Sequence, residues 1–70
     1  MTNEEIKTKA LNTLALRSDA LHKEWSRAML DESATPAHRV AVLADIHATA
    51  TEFWTIKKMS ADKVAKRLAK

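Results

Sequence analysis

The apolar positions of this chain fall into two long stretches parted by a short polar one. In the first, Ile6, Ala10, Leu14, Leu21, Trp25 and Ala28 recur at three- and four-residue spacing, and Leu11 and Met29 widen the stripe. That is the period with which a helix presents one face to a core. Thr2 and Glu5 have the spacing of a capping box, in which each side chain satisfies a free backbone amide at a helix start. The pattern predicts a first helix over about 3–32. Asp31-Glu32-Ser33-Ala34 then interrupts it, and Thr35-Pro36 restarts it. Thr is a favoured N-cap, and Pro at the first helical position forfeits no bond, because that amide has no partner within the helix. A second helix therefore begins at Pro36. So short a connection makes the two helices antiparallel neighbours, a helical hairpin.

The second stretch carries more apolar surface than one neighbour can cover. Val42, Leu43, Ile46, Thr49, Ala50, Phe53 and Ile56 make a broad face, and Ala37, Ala41, Ala44 and Ala48 make a row of methyl groups beside it. Small side chains allow close approach of helix axes, so the row suits another helix. Two candidates exist for that helix. Either a third helix folds back within the chain, or a second subunit supplies it, giving a homo-oligomer built as a helical bundle.

The C-terminal segment bears on the choice and reads two ways. Ser60 before Ala61 and Asp62 suits the start of a short third helix over 60–69, with Ala61, Val64, Ala65 and Leu68 on it. Against this, Ile46, Ala50, Phe53, Ile56, Ser60, Val64 and Leu68 continue in phase with no glycine or proline between them. The unbroken phase favours one continuous or gently bent second helix over 36–68, with 36–57 as its length if a third helix forms. Two matched helices would then leave faces open, and oligomerisation would follow.

Composition agrees with an all-α single domain spanning 1–70. The 70 residues include no glycine and one proline, so the positive-φ turns of tight hairpins are disfavoured while Ala, Leu, Lys, Glu and Arg favour helix. A chain this short builds a core that is only marginally adequate, and with no cysteine it has no disulfide or thiolate metal site to reinforce it. No apolar run approaches a membrane span and the first residues lack the apolar core of a signal peptide, so the expectation is a cytoplasmic protein with no membrane partner.

Charge is distributed unevenly. Residues 1–56 hold six Lys or Arg against eight Asp or Glu, whereas residues 57–70 hold Lys57, Lys58, Lys63, Lys66, Arg67 and Lys70 against Asp62 alone. Such a run is either a solvated helix end, favoured by the macrodipole, or a site for an anion or an acidic partner. Arg17 is the other unusual cation, since it stands on the first stripe between Leu14 and Leu21. Its stem can lie on apolar surface with its head in water, or it can face an anionic ligand or a second subunit's acid. Trp25 and Trp54 fall on or near the stripes. Core packing is the default for both, but Phe53 and Trp54 are adjacent and cannot face the same way, so one of them is available to a base or a protein partner.

Catalytic and metal signatures are missing. Without glycine there is no glycine-rich phosphate loop, and without cysteine no thiol nucleophile. His38 and His47 lie nine residues apart and point in nearly opposite directions on one helix, which rules out a shared metal there. His22 and Glu24, two apart, diverge. Asp45 and Glu52 share a face but read as solvated. The expectation is a protein without enzymatic activity, cofactor or metal.

One family likeness can be drawn from helix 2. Pro36, Arg39, Leu43 and Trp54 resemble the second helix of the helical-hairpin phage proteins that sequester cyclic nucleotide signals, the anti-CBASS and anti-Thoeris sponge family. That helix opens on a Ser-Arg-Glu-like start, runs through a leucine-rich face and reaches a tryptophan about fifteen residues after the arginine, the interval from Arg39 to Trp54 here. The resemblance implies an oligomer of hairpins with nucleotide held between subunits, and it transfers Arg39 and Trp54 as candidates. Val40 departs from it where an acidic residue usually follows the arginine, and so does the run from Asp45 to Thr51. Two other readings stand beside it. One is a small regulator or inhibitor, of the kind phages and mobile elements encode, that binds a host protein through helix surfaces and the basic C-terminus. The other is nonspecific nucleic-acid binding through the same cations; no recognition-helix pair or RNA-binding aromatic motif is present to read sequence.

Overall fold

A computed structural model describes residues 1–69; Lys70, the last cation of the basic run, lies outside the described residues. The described residues form three helices, α1 (Asn3–Leu30), α2 (Pro36–Lys58) and α3 (Ala61–Leu68). α1 and α2 make the expected antiparallel hairpin, and the molecule is a slender rod of 47 × 19 × 15 Å.

Each helix starts where the side-chain chemistry permits. The Glu5 amide donates to Thr2 Oγ1 at 3.2 Å, and the Thr2 hydroxyl in turn reaches Glu5 Oε1 at 3.2 Å. The His38 amide donates to Thr35 Oγ1 at 3.1 Å with Pro36 in the first turn. α1 stops two residues short of the expected 32. Asp31 leaves the helix because its carboxylate accepts from the Ser33 amide at 2.9 Å and the Ser33 hydroxyl at 2.6 Å, a local turn that competes with another helical residue.

The inner surfaces follow a 3.5-residue repeat, that of helices packed along their length. On α1 the buried and half-buried seam runs Lys7, Leu11, Leu14, Ser18, Leu21, Trp25 and Ala28; on α2 it runs Arg39, Val42, Ile46, Thr49, Phe53 and Ile56. Arg39 on the carbonyl of Ala28 and Lys7 on the carbonyl of Met59 fix the two ends of the register. Within it, Leu14 and Ser18 share a groove with Phe53 and Thr49. Of the positions expected inside but lying off this seam, Ile6 and Ala10 are half-buried, whereas Met29, Leu43 and Ala50 are exposed.

The continuous second helix expected over 36–68 does not form. Met59 and Ser60 are extended, at φ −78°, ψ 150° and φ −66°, ψ 156°, and the chain folds back as the short third helix instead. The physical reason is the length of α1. An unbroken α2 would run past Asn3, where α1 begins, and carry Val64 and Leu68 beyond any cover. The bend lays α3 on α1, where Val64 is fully buried. Ser60 caps the new helix by accepting from the Lys63 amide at 3.3 Å. Asn3 Nδ2 donates to Asp62 Oδ1 at 2.8 Å, and Lys7 Nζ to the Met59 carbonyl at 2.9 Å, across the joint. Among the described residues no helix is long and apolar enough to cross a membrane.

Candidate functional site

The bend redistributes the basic run. Lys57 and Lys58 end α2, while Lys63, Lys66 and Arg67 ride on α3 with Val64 turned inward between them. Arg67 is committed within the chain, since its Nη2 lies 2.9 Å from Glu52 Oε2 and its Nη1 lies 3.8 Å from Met59 Sδ. Lys58, Lys63 and Lys66 are exposed and have no ion pair among the described residues.

Lys57 and Trp54 form the most organised feature of this end. Lys57 Nζ sits 4.8 Å from the Trp54 ring centroid and 5.8 Å from that of Phe53, within cation–π range of both. The two rings meet edge to face, 5.7 Å apart at 88°. Phe53 is the member that turns inward, and Trp54 keeps 53% of its surface open. Trp54 also walls a groove of about 260 Å³ whose polar side chains are Ser18, Asp19 and Thr49. On the opposite flank of the hairpin a second, almost wholly apolar groove of about 330 Å³ runs between Ile6, Ala10, Leu14, Ile56 and Leu68, with Lys9 and Glu52 at its edge. Neither groove was visible in the sequence: the apolar one depends on how α3 folds back, and the one beside Trp54 on which residues of α1 and α2 lie level.

Other expected site residues take different parts. Arg39 is half-buried and spends its guanidinium on the end of α1: Nε donates to the Ala28 carbonyl at 3.0 Å and Nη2 to the Asp31 carbonyl at 3.1 Å. At the Ala28 carbonyl it satisfies an acceptor that a helix C-terminus otherwise leaves to water, while the Asp31 carbonyl accepts from the Ala34 amide as well, at 3.1 Å. Along α2 it stands about 22 Å from Trp54 at 1.5 Å per residue, so the two do not converge within one chain. Trp25 is half-buried on the α1 seam, a core position. Arg17 is exposed, because the 3.5-residue seam passes through Ser18 instead; the inward-facing cation is not what this side chain provides.

Among the described residues, the remaining titratable groups form no centre that could hold a metal. No cluster of three or more His, Asp or Glu with such geometry occurs among the described residues. His38 Nε2 lies 3.3 Å from Glu24 Oε1, and Glu24 Oε2 lies 3.8 Å from Arg27, all at the surface. The Asp31 carboxyl is held below its ordinary value, first by the Ser33 hydroxyl and then by the Ser33 amide. No protein-family model, curated protein or solved structure matches the chain.

Proposed function

We propose that this chain is a small binding protein without enzymatic activity, which regulates or sequesters an acidic protein partner through its basic end. The observation that carries the reading is the set of exposed, uncompensated cations Lys58, Lys63 and Lys66 at the end of the molecule where Lys57 stacks on Trp54. Clustered cations steer an acidic partner and fix how it docks. Self-association belongs to the same reading, because α2 keeps Val40, Leu43, Trp54 and the row Ala37, Ala41, Ala44 and Ala48 exposed.

Thermal stability and Trp fluorescence in the presence of polyglutamate, duplex and single-stranded DNA, and cyclic nucleotides test this proposal. A stabilising shift with polyglutamate, lost when Lys58, Lys63 and Lys66 become Gln, is the expected result; a ligand at about 100 times its Kd adds about 2.7 kcal/mol to the native state. Shifts with every polyanion, falling steeply with salt, would replace it with nonspecific phosphate binding. A shift confined to cyclic nucleotides would favour the sponge resemblance. Full binding by the Gln variant would place the site away from the basic end.

A further inference from the structure

The outer side of α2 bears a second seam. Ala37, Val40, Ala44, His47, Thr51, Trp54 and Lys58 follow one another at alternating intervals of three and four, the same 3.5-residue repeat as the inner seam but on the opposite face, and all seven are exposed. A helix directed only at α1 has no need of this. The solvent face of an amphipathic helix is normally charged, yet from Ala37 to Trp54 this one carries no formal charge with His47 neutral. α3 rests on α1 and leaves the face open.

Resting on the reading that the chain self-associates, we propose that its partner on this face is a second copy, paired antiparallel through α2 about a twofold axis level with residues 45 and 46. Antiparallel seams interlock with the two alternating positions facing each other, and here that register matches side-chain sizes. Ala37 meets the second copy's Trp54, Val40 meets its Thr51, and Ala44 meets its His47. In two of the three layers a methyl group lies opposite a ring; in the third, two β-branched side chains of equal size meet. Packing large against small fills the space between close helix axes.

Charge selects the direction and names the occupant. The hairpin end of the molecule, residues 17–45, carries four Lys or Arg against five Asp or Glu; residues 1–16 with 52–69 carry seven against four. Antiparallel pairing sets each basic end beside the other copy's less basic end. Lys58 falls level with Ser33, next to Glu32, which is exposed and has no ion pair among the described residues. Parallel pairing would instead stack Lys57 and Lys58 on their own copies. In the antiparallel pair the four long helices, α1 and α2 of each copy, lie roughly in one layer, α1 outermost on each side, with the two basic ends at opposite ends of the dimer.

Because the chain has no cysteine, single cysteines report the register directly. Sedimentation of the unaltered protein at tens of micromolar should give twice the 7.8 kDa chain mass, and Ala44→Glu should weaken the dimer at least tenfold with unchanged helicity, since Ala44 is exposed in the single chain. Under mild oxidation, a mixture of Val40→Cys and Thr51→Cys chains should form the mixed disulfide, with little linkage in either chain alone. A monomer throughout overturns self-association and this pairing together. A dimer indifferent to Ala44→Glu leaves self-association standing and overturns this face. Efficient linkage of Val40→Cys chains to themselves establishes a parallel pair and overturns the register.

Discussion

Arg39 shows how much one side chain's meaning depends on what lies level with it. A cation on the second turn of a helix reads as available for an anion, but here the fork of its guanidinium closes the end of the preceding helix. Replacing it with Met should destabilise the hairpin by about 1–3 kcal/mol, the cost of leaving the buried Ala28 carbonyl unsatisfied. Lys at the same position should recover little, because an ammonium lacks the planar fork; urea midpoints of the two variants decide this, and a midpoint unmoved by Arg39→Met would return the residue to the ligand-binding candidates. Asp31 makes a second prediction at the same turn. Its depressed carboxyl means that the Ser33 contact contributes stability above the ordinary carboxylate range and loses it as pH falls through the folded value. In an acid titration the Ser33 amide resonance should therefore move with a midpoint below that of an unperturbed Asp, and the movement should vanish in Asp31→Asn.

The helix starts were legible because their chemistry is local. Thr2 with Glu5 and Thr35 with Pro36 act through amides within three residues, and no distant contact is needed to recognise them. Thr35→Ala should accordingly lower stability by about 1 kcal/mol, and Ser60→Ala should do so by a similar amount if α3 is cooperative with the hairpin. The end of α2 was not legible, because the phase of its apolar residues runs straight through Ser60. What breaks it is the position of Asn3 on another helix, a fact of assembly and not of the local sequence. Arg17 was misplaced because three- and four-residue steps lead from Leu14 to Leu21 through either residue 17 or residue 18, and the packed hairpin takes Ser18. The groove beneath Leu68 exists only once α3 is folded back, and the one beside Trp54 only once α1 and α2 are paired. Val64→Ala tests that fold-back, since Val64 is fully covered. It should cost about 1.5–3 kcal/mol, on the scale of a buried Val, and release the amides of α3 to hydrogen exchange before those of α1. Equal protection of both helices in the variant would mean that α3 is held by its polar contacts instead.

At the scale of the whole molecule, the core is thin for the length it must hold. The buried residues are Ala28, Val42, Thr49, Ile56 and Val64, strung along a rod 47 Å long, while Val40, Leu43 and Trp54 remain outside. A chain of this size buries too small a share of its surface to be more than marginally stable alone. If the outer seam of α2 is covered by a second copy, folding and association are linked, and the native state gains with protein concentration as it would with any ligand that binds only the folded form. Unfolding temperature should then rise across a hundredfold range of concentration, and the rise should disappear in Ala44→Glu. Charge gives the same linkage a direction. Lys58→Glu should weaken the dimer, and adding Glu32→Lys to the same chain should restore it, because in the antiparallel register these two positions meet across the interface twice. Both effects should shrink as salt is raised and the exposed charges are screened. A double reversal no better than the single one would mean that Lys58 and Glu32 do not meet, and would leave Lys58 to the acidic partner alone.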